Sequence, residues 1–420
     1  MSKKQVILGA QFPGVNNFTV WSDPQAGSQI AFSSFRRFAE TVERGRFDFI
    51  FLAEGLRVRE QKGRFHELDV AGRPNTLAIL TALASVTRNV GLIGTLTTTF
   101  NEPYPLARQL ATLDVLSDGR SGWNVVTSPG AFTGANFRRG DHLPFAQRYE
   151  RAREFIETAR KVWTGSAFEA HAKHFDLSGT TNVAPLPQRA PVIAQAGDSD
   201  EGRELAASRA DLIYSRHGTL EEGQAFYADV KGRLAKYGRS PEALKILPGA
   251  NFVLGDTQEE AQANHRAIRL QQVSPKSAIV FLEQVWNRDL SAYDPDGPLP
   301  DFEPDVEAQL AQGRATRYDH RLETAKAWRE LAERDGLSIR DLIIRVTERK
   351  QFIGTPQSVA EEIDRHVQEN AADGFVFAPH LTPGGFDAFV EKVVPILQER
   401  GVLRRDYEAG SLRTNLGLAA

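Results

Sequence analysis

The stretch SDGRSGWNVVTS at residues 117–128 is the most informative part of this 420-residue chain. It opens with the turn-forming pair Asp118-Gly119, continues into a β-branched core at Val125-Val126, and ends in small hydrogen-bonding side chains. A strand that delivers amides and hydroxyls at its carboxyl end is how an α/β protein builds the floor of a cofactor site. Taken alone, the stretch also fits a buried strand followed by an ordinary polar loop.

The composition is that of a soluble globular enzyme, with 41% hydrophobic and 25% charged residues. A net charge of -3 argues against a nucleic-acid partner or an anionic membrane surface. The chain has no cysteine, which excludes disulfides, thiolate metal sites and cysteine nucleophiles. There is no signal-peptide pattern and no apolar run of about 18 residues, so we expect a cytoplasmic protein with no membrane partner.

Eight short apolar runs alternate with amphipathic stretches of helical periodicity. The predicted strands are 6–10, 47–54, 90–98, 122–128, 191–197, 212–215, 246–254 and 374–379. The predicted helices are 33–44, 74–87, 105–116, 145–163, 200–208, 220–237, 257–271, 356–370 and 385–400. This alternation predicts an α/β fold, a (β/α)8 TIM barrel with insertions at the C-terminal face of the strands. An open doubly wound sheet is the alternative, weakened because no strand is followed by G-x-G-x-x-G or a P-loop.

Two long interruptions break the alternation. One covers 131–144 and continues, after a helix, through 166–189. The other covers 274–352 and contains the loop-forming sequence DPDGPLP at 294–300. Insertions that follow barrel strands lie on the catalytic face and tend to act as lids. We therefore expect a single domain over residues 1–420 with a lid insertion at about 274–352. A helical excursion without catalytic importance is the alternative.

The sequence QAGDS at 195–199 ends one apolar run and opens a helix. Small residues let the backbone approach a ligand closely, and a helix N-terminus offers free N–H groups to a phosphate. Ser199 adds a hydroxyl to this set. The chemistry of the stretch alone fits simple N-capping by Ser199 equally well.

Several motifs in a fixed order resemble one enzyme family over almost the whole chain. Besides the first stretch, they are ERGRFD at 43–48, FLAEG at 51–55, TTTFNEPY at 97–104, RYERA at 148–152, PVIAQAGDS at 191–199, LPG at 247–249, DPDGPLP at 294–300 and the glycine-rich 374–385 segment. The chain resembles the FMN-dependent two-component monooxygenases of the bacterial luciferase-like superfamily. The most similar group contains nitrilotriacetate and EDTA monooxygenases, dibenzothiophene-sulfone monooxygenase and pristinamycin synthase.

The resemblance implies a set of cofactor-binding residues. The residues expected at the FMN phosphate are Tyr149, Ala196, Gly197, Asp198 and Ser199. The residues expected along the flavin ring are Glu54, Thr95, Thr97, Asn124 and Thr127. The chain departs from the family at Phe145, where relatives usually carry a histidine, so a role for that histidine does not transfer.

Two histidines follow predicted strands and are our candidates for catalysis. His217 follows the sixth strand and His380 follows the eighth. On the carboxyl face of a barrel they are placed to bind a polar substrate or to move a proton. A histidine bonded to a nearby carbonyl is the plainer alternative. No residue pattern predicts a metal site.

The resemblance implies an oxidoreductase that takes reduced FMN from a separate NAD(P)H:FMN oxidoreductase and uses O2 as co-substrate. The expected reaction oxygenates a small organic substrate at a carbon next to sulfur or nitrogen, with C–S or C–N cleavage. Relatives form homodimers or homotetramers, and we expect the same. The alternatives are a deazaflavin-dependent oxidoreductase of the same superfamily and a flavin-binding protein without turnover.

Overall fold

Eight parallel strands form the central barrel of this computed structural model, which describes residues 3–14, 18–54, 56, 60–61, 64–65, 74–128, 137, 143–182, 185–307, 320–348, 351–408 and 410–419. In chain order the strands are β1 (Ile7–Gln11), β2 (Phe49–Leu52), β3 (Glu60–Gln61), β4 (Arg64–Phe65), β5 (Gly91–Thr97), β6 (Ser121–Val126), β7 (Ala167–His171), β8 (Asp176–Thr180), β9 (Val192–Ala196), β10 (Leu212–Ser215), β11 (Lys245–Leu254), β12 (Gln351–Gly354) and β13 (Gly374–Phe377).

The barrel strands follow the order β1-β2-β5-β6-β9-β10-β11-β13, with every neighbouring pair parallel. Strand β1 pairs with both β2 and β13, so the sheet closes on itself. The predicted (β/α)8 barrel is therefore confirmed, and the open sheet is excluded. Strand β12 extends the sheet by pairing with the outer half of β11, while β3–β4 and β7–β8 are separate antiparallel hairpins.

The described helices surround the barrel. In chain order they are α1 (Phe32–Arg44), α2 (Thr76–Ala84), α3 (Pro103–Leu116), α4 (Phe145–Trp163), α5 (Asp200–Arg209), α6 (Leu220–Leu234), α7 (Gln258–Gln272), α8 (Pro275–Trp286), α9 (Arg321–Asp335), α10 (Ile339–Val346), α11 (Pro356–Gln368), α12 (Val394–Glu399) and α13 (Leu412–Asn415). None of them is long and apolar enough to cross a membrane.

Side chains alternate along each strand between the barrel interior and the helix layer. The interior cluster consists of Ile7, Phe49, Phe51, Ile93, Val192, Ala194, Leu212, Leu247 and Val376, together with leucines of the C-terminal tail. A Cβ at Gly122 would lie 2.7 Å from Ile93, so glycine is required at that interior position. The same period of two brings Thr95 and Asn124 to the interior, one step closer to the carboxyl ends.

The C-terminal tail closes the amino end of the barrel. Leu412, at the start of α13, packs where a side chain on Gly91 would otherwise stand, and its N–H donates to the Gly119 carbonyl at 2.9 Å. Arg413 forms an ion pair of 2.9 Å with Asp211, just before β10. All three contacts lie at strand starts. A ligand therefore has access to the barrel at the carboxyl ends.

The predicted insertion at 274–352 is built mainly from helices α8, α9 and α10. They pack on a separate apolar core centred on the fully buried Trp286. Just before the insertion, the Gln272 amide of α7 donates to the Phe18 carbonyl at 2.7 Å, in the loop after β1. The insertion therefore begins beside the carboxyl face. Most of the other interruption, at 131–144, lies outside the described residues.

Candidate functional site

Asn124 and Thr95 form a buried polar pair on adjacent strands, β6 and β5. The Asn124 amide nitrogen donates to the Thr95 hydroxyl at 2.9 Å, and both side chains are at least 95% buried. The Asn124 Oδ1 atom is buried without a hydrogen-bond partner. A buried amide oxygen without a partner is costly unless a ligand donates to it. This pair is therefore a good platform for a polar heterocycle.

Thr97 lies two residues beyond Thr95 at the end of β5, and Thr127 directly follows β6. The Thr97 hydroxyl accepts from the Ser128 hydroxyl at 2.7 Å and from the Thr99 N–H at 3.1 Å. The Thr127 carbonyl accepts from Arg148 of α4 at 3.2 Å. These bonds fix the two strand ends against one another, so the predicted ring residues on β5 and β6 are brought together.

Glu54 follows β2 and is half-buried. Its carboxylate accepts from the Asn75 amide at 3.4 Å, and the Asn75 side chain in turn caps α2 by accepting from the Ala78 N–H at 3.0 Å. The cap therefore orients the carboxylate. A cleft of about 710 Å³ is lined by Glu54, Asn75, Thr95, Thr97, Ser128 and the facing sides of α2 and α3. That volume is typical of small-molecule sites.

The loop between β9 and α5 brings the predicted phosphate residues together. The Ser199 hydroxyl caps α5 by accepting from the Gly202 N–H at 3.2 Å, and it donates to the Tyr149 hydroxyl of α4 at 3.4 Å. A Cβ on Gly197 would lie 2.6 Å from the Gln195 amide and 3.2 Å from the Tyr149 hydroxyl. Glycine therefore keeps a small cradle open in front of a helix N-terminus, the arrangement that suits a phosphate. Ala196 is exposed at the end of β9.

His217 and Asp198 face each other across this loop. The His217 Nε2 atom lies 4.0 Å from the Asp198 Oδ1 atom, and both atoms are buried without a hydrogen-bond partner. The imidazole packs on the Phe226 ring of α6, with centroids 4.4 Å apart. His217 therefore lies beside the loop between β9 and α5, where the sequence predicts the FMN phosphate.

His380 lies elsewhere on the carboxyl face, beside the loop that follows β1. Its carbonyl accepts from the Val20 N–H at 2.8 Å, and its Nδ1 atom is buried without a hydrogen-bond partner. Burial lowers the pKa of the imidazole, opposed in part by Asp23. The neutral form of the imidazole is therefore favoured. In that form one ring nitrogen donates a hydrogen bond and the other accepts one.

Unpartnered buried polar atoms occur near the carboxyl ends of β1, β5, β6, β9, β10 and β13 or in the loops that follow them. Among the described residues they are Thr19 Oγ1, Trp21 Nε1, Thr99 Oγ1, Asn124 Oδ1, Gln195 Oε1, Asp198 Oδ1, Ser215 Oγ, His217 Nε2, His380 Nδ1 and Thr382 Oγ1. Native proteins satisfy nearly all such groups, so a set of them around one mouth marks a ligand site. Both donors and acceptors occur in the set.

The sequence analysis missed two arginines on α4. Arg148 is 94% buried and contacts the end of β6 through the Thr127 carbonyl, while Arg151 is 96% buried and donates to the Thr98 and Asn101 carbonyls, both at 2.9 Å. Burial lowers the pKa of Arg148. Their spacing of three puts them on one helix face. In the sequence, the spacing of three residues within the RYER motif was the signal that could have identified this pair of arginines.

The Phe145 side chain lies outside the described residues. In the part of the chain that the structure describes, no group of three or more His, Asp and Glu side chains is arranged to hold a metal ion. The predicted cofactor residues thus gather at one face. The two histidines follow different strands of the same mouth.

Comparison with known proteins identifies the family of the chain. Residues 15–374 match the luciferase-like monooxygenase family. The chain is 37% identical to N-acetyl-S-(2-succino)cysteine monooxygenase of Bacillus subtilis (strain 168), covering 99% of this chain and 97% of that protein. It is 38% identical to nitrilotriacetate monooxygenase component A of Aminobacter aminovorans, covering 100% and 97%.

A solved structure of riboflavin lyase with modified FMN and riboflavin superposes with a TM-score of 0.79 at 26% identity, covering 99% of this chain and 96% of that one. The fold and the sequence therefore agree on the family. The chain belongs to the luciferase-like monooxygenase family.

Proposed function

We propose that this chain is the oxygenase component of a two-component system, which binds reduced FMN at the carboxyl face of its barrel and oxygenates a small organic substrate with O2. The set of unpartnered buried polar atoms at the strand ends carries the proposal. Reduced FMN supplies the activation of O2, because no protein side chain does so unaided. The protein contributes binding, orientation and exclusion of water.

The phosphate and the ring of FMN make different demands, and two parts of the mouth fit them. The Gly197 cradle, the Ser199 hydroxyl and Tyr149 suit the phosphate, since they combine close backbone approach, a helix N-terminus and hydroxyl groups. The Asn124–Thr95 pair suits the flavin ring, whose edge carries donors and acceptors. Thr97, Thr127 and Glu54 extend that side.

The substrate side of the mouth lies toward β13 and β1. If the ring rests against β5 and β6, the space beside it is bordered by Trp21, His380 and Thr382, each with an unpartnered buried polar atom. His380 would orient or protonate an uncharged polar group there. The insertion begins beside this region through Gln272 and would shield it from water.

Two relatives support the reaction class. One is named for a thioether-containing amino acid and the other for an aminopolycarboxylate, and the second is named as component A of its system. We therefore propose oxygenation at carbon beside sulfur or nitrogen, with C–S or C–N cleavage. A separate NAD(P)H:FMN oxidoreductase would supply the reduced flavin. Assembly as a homodimer or homotetramer and a cytoplasmic location stay predictions.

The test is oxygen consumption and product formation by the purified chain with a generic NADH:FMN reductase. The panel contains S-substituted cysteines, thioethers, sulfones and aminopolycarboxylates. We expect product from at least one class, with hydrogen peroxide falling below the level measured without substrate.

Failure of the chain to retain reduced FMN would contradict the proposal. Turnover with a reduced deazaflavin in place of FMN would support the deazaflavin alternative. A matched Asn124→Leu variant, which removes the amide from the ring platform, should release peroxide without product. Equal coupling in that variant would refute the assigned ring site.

A further inference from the structure

We propose that His217 is a positioning residue at the phosphate end of the flavin site, where its protonated imidazole balances Asp198 and so allows an acidic loop to accept a phosphate. This inference rests on the proposed function. It assigns His217 to cofactor binding in place of the catalytic role expected from the sequence. The ligand class is a phosphomonoester, with FMN as its carrier.

The contacts of His217 hold it against the loop. Its ring packs against Phe226 at an interplanar angle of 34°, and the Arg203 guanidinium lies over the same Phe226 ring at 4.9 Å from its centroid. Arg203 also donates to the Asp198 carbonyl at 3.0 Å. The aromatic ring therefore fixes two basic side chains beside one aspartate. His217 Nε2 faces the Asp198 carboxylate at 4.0 Å, slightly beyond hydrogen-bond distance.

The charges around the loop explain why a cation is needed. Asp198 directly precedes the Ser199 cap, so a phosphate bound at the α5 N-terminus would have this carboxylate in the same loop. Arg203 is already committed to Asp229 at 2.7 Å. Like charges brought this close oppose binding. A protonated His217 can donate to Asp198 or to the phosphate, and either bond offsets the repulsion.

The charged and titratable groups from the surrounding elements are consistent with this assignment. Those that face the loop and His217 are Tyr149 from α4, Asp198 from the loop, Arg203 from α5, and Glu222 and Asp229 from α6. The Glu222 carboxylate caps α6 by accepting the Gly218 and Thr219 N–H groups, at 3.1 and 3.3 Å, close to His217. The imidazole therefore lies between two carboxylates.

The experiment compares reduced FMN with reduced riboflavin, which lacks the phosphate. Binding is measured under anaerobic conditions for the wild type, His217→Gln and the control His265→Gln, a partly buried histidine of α7 that contacts the Gln351 amide at 3.0 Å. We expect His217→Gln to weaken reduced FMN about tenfold, the loss typical of a charge-assisted hydrogen bond. Riboflavin binding should be unchanged. His265→Gln should alter neither affinity.

A pH series and a double-mutant cycle separate the charge effect from a structural one. The ratio of the FMN dissociation constants of His217→Gln and wild type should be large at low pH and approach one as pH rises. In an Asp198→Asn background, the cost of His217→Gln should shrink, because there is less negative charge to balance.

Three results would overturn the inference. Equal weakening of FMN and riboflavin by His217→Gln would indicate a structural role. Unchanged FMN affinity with a lowered turnover number would restore the catalytic role. A ratio of FMN dissociation constants that does not change with pH would show that the charge of His217 does not contribute to binding. By contrast, a wild-type chain that binds neither flavin would contradict the proposed function itself, which this comparison reveals before any variant is made.

Discussion

Replacing Ser199 by alanine tests the phosphate site because two separable losses are expected. The hydroxyl caps α5 by accepting the Gly202 N–H at 3.2 Å, so its removal should lower the free energy of unfolding by about 1 kcal/mol. The same hydroxyl would donate to the FMN phosphate. A hydrogen bond to a charged group contributes about 1.5–3 kcal/mol, or roughly 10- to 150-fold in affinity.

Thr355→Ala is the matched control. The Thr355 hydroxyl caps α11 by accepting the Ser358 N–H, also at 3.2 Å, on a helix away from the phosphate loop. Both variants should lose about 1 kcal/mol in urea unfolding followed by circular dichroism. Only Ser199→Ala should weaken reduced FMN, measured by anaerobic ultrafiltration. If both variants bind FMN equally well, the phosphate lies elsewhere and the site is misassigned.

Three further predictions concern Tyr149 beside Ser199, the buried His380 and the core of the insertion. Tyr149→Phe combined with Ser199→Ala should weaken reduced FMN further than Ser199→Ala alone, and unchanged affinity in the double variant would refute the assigned loop. Burial lowers the pKa of His380 in the folded state, so the unfolded state binds more protons below about pH 6.5. The folding stability should therefore decrease as the pH is lowered through that range, and His380→Gln should make the unfolding midpoint depend less on pH. Parallel pH profiles for the wild type and the variant would contradict this. Trp286→Ala should lower the free energy of unfolding by about 3–5 kcal/mol, because it leaves a cavity in the core of the insertion. If the insertion excludes water from the site, the variant should also release more hydrogen peroxide. Unchanged coupling in a destabilised variant would argue against a lid.

The barrel could be predicted because its signals are local. The strand Leu212–Ser215 and the helix Phe145–Trp163 have the predicted bounds. Each combines a clear period with end signals that belong to the segment itself. The closure of the sheet followed from counting the strands. Strand β12 was not predicted as a strand, because its pairing with the outer half of β11 depends on residues about 100 positions away.

The helices of the insertion were missed although they carry local signals. Ser274-Pro275 begins α8, and Ser338 with Asp341 forms a capping box on α10. The loop-forming 294–300 sequence lies between α8 and α9, and it gives this part of the chain the composition of a loop. Long insertions also lack the strand–helix alternation that organises the rest of the chain.

The candidate site was only partly within reach of the sequence. Ser199 and Gly197 stand out because a turn and a helix start occur within five residues. Arg148 does not, since its contact with Thr127 joins α4 to β6. The approach of His217 to Asp198 joins the ends of two neighbouring strands. A single sequence shows neither distance, so the expected role of His217 rests on its place after a strand, and its catalytic role stays a prediction.

The crystal structure of the chain with FMN is the most direct test of the central claim. The account predicts the phosphate within hydrogen-bond distance of Ser199 Oγ and Tyr149 Oη, with the ring edge against Asn124 and Thr95. A flavin whose phosphate lies away from the β9–α5 loop, or no flavin at the carboxyl face, would contradict it.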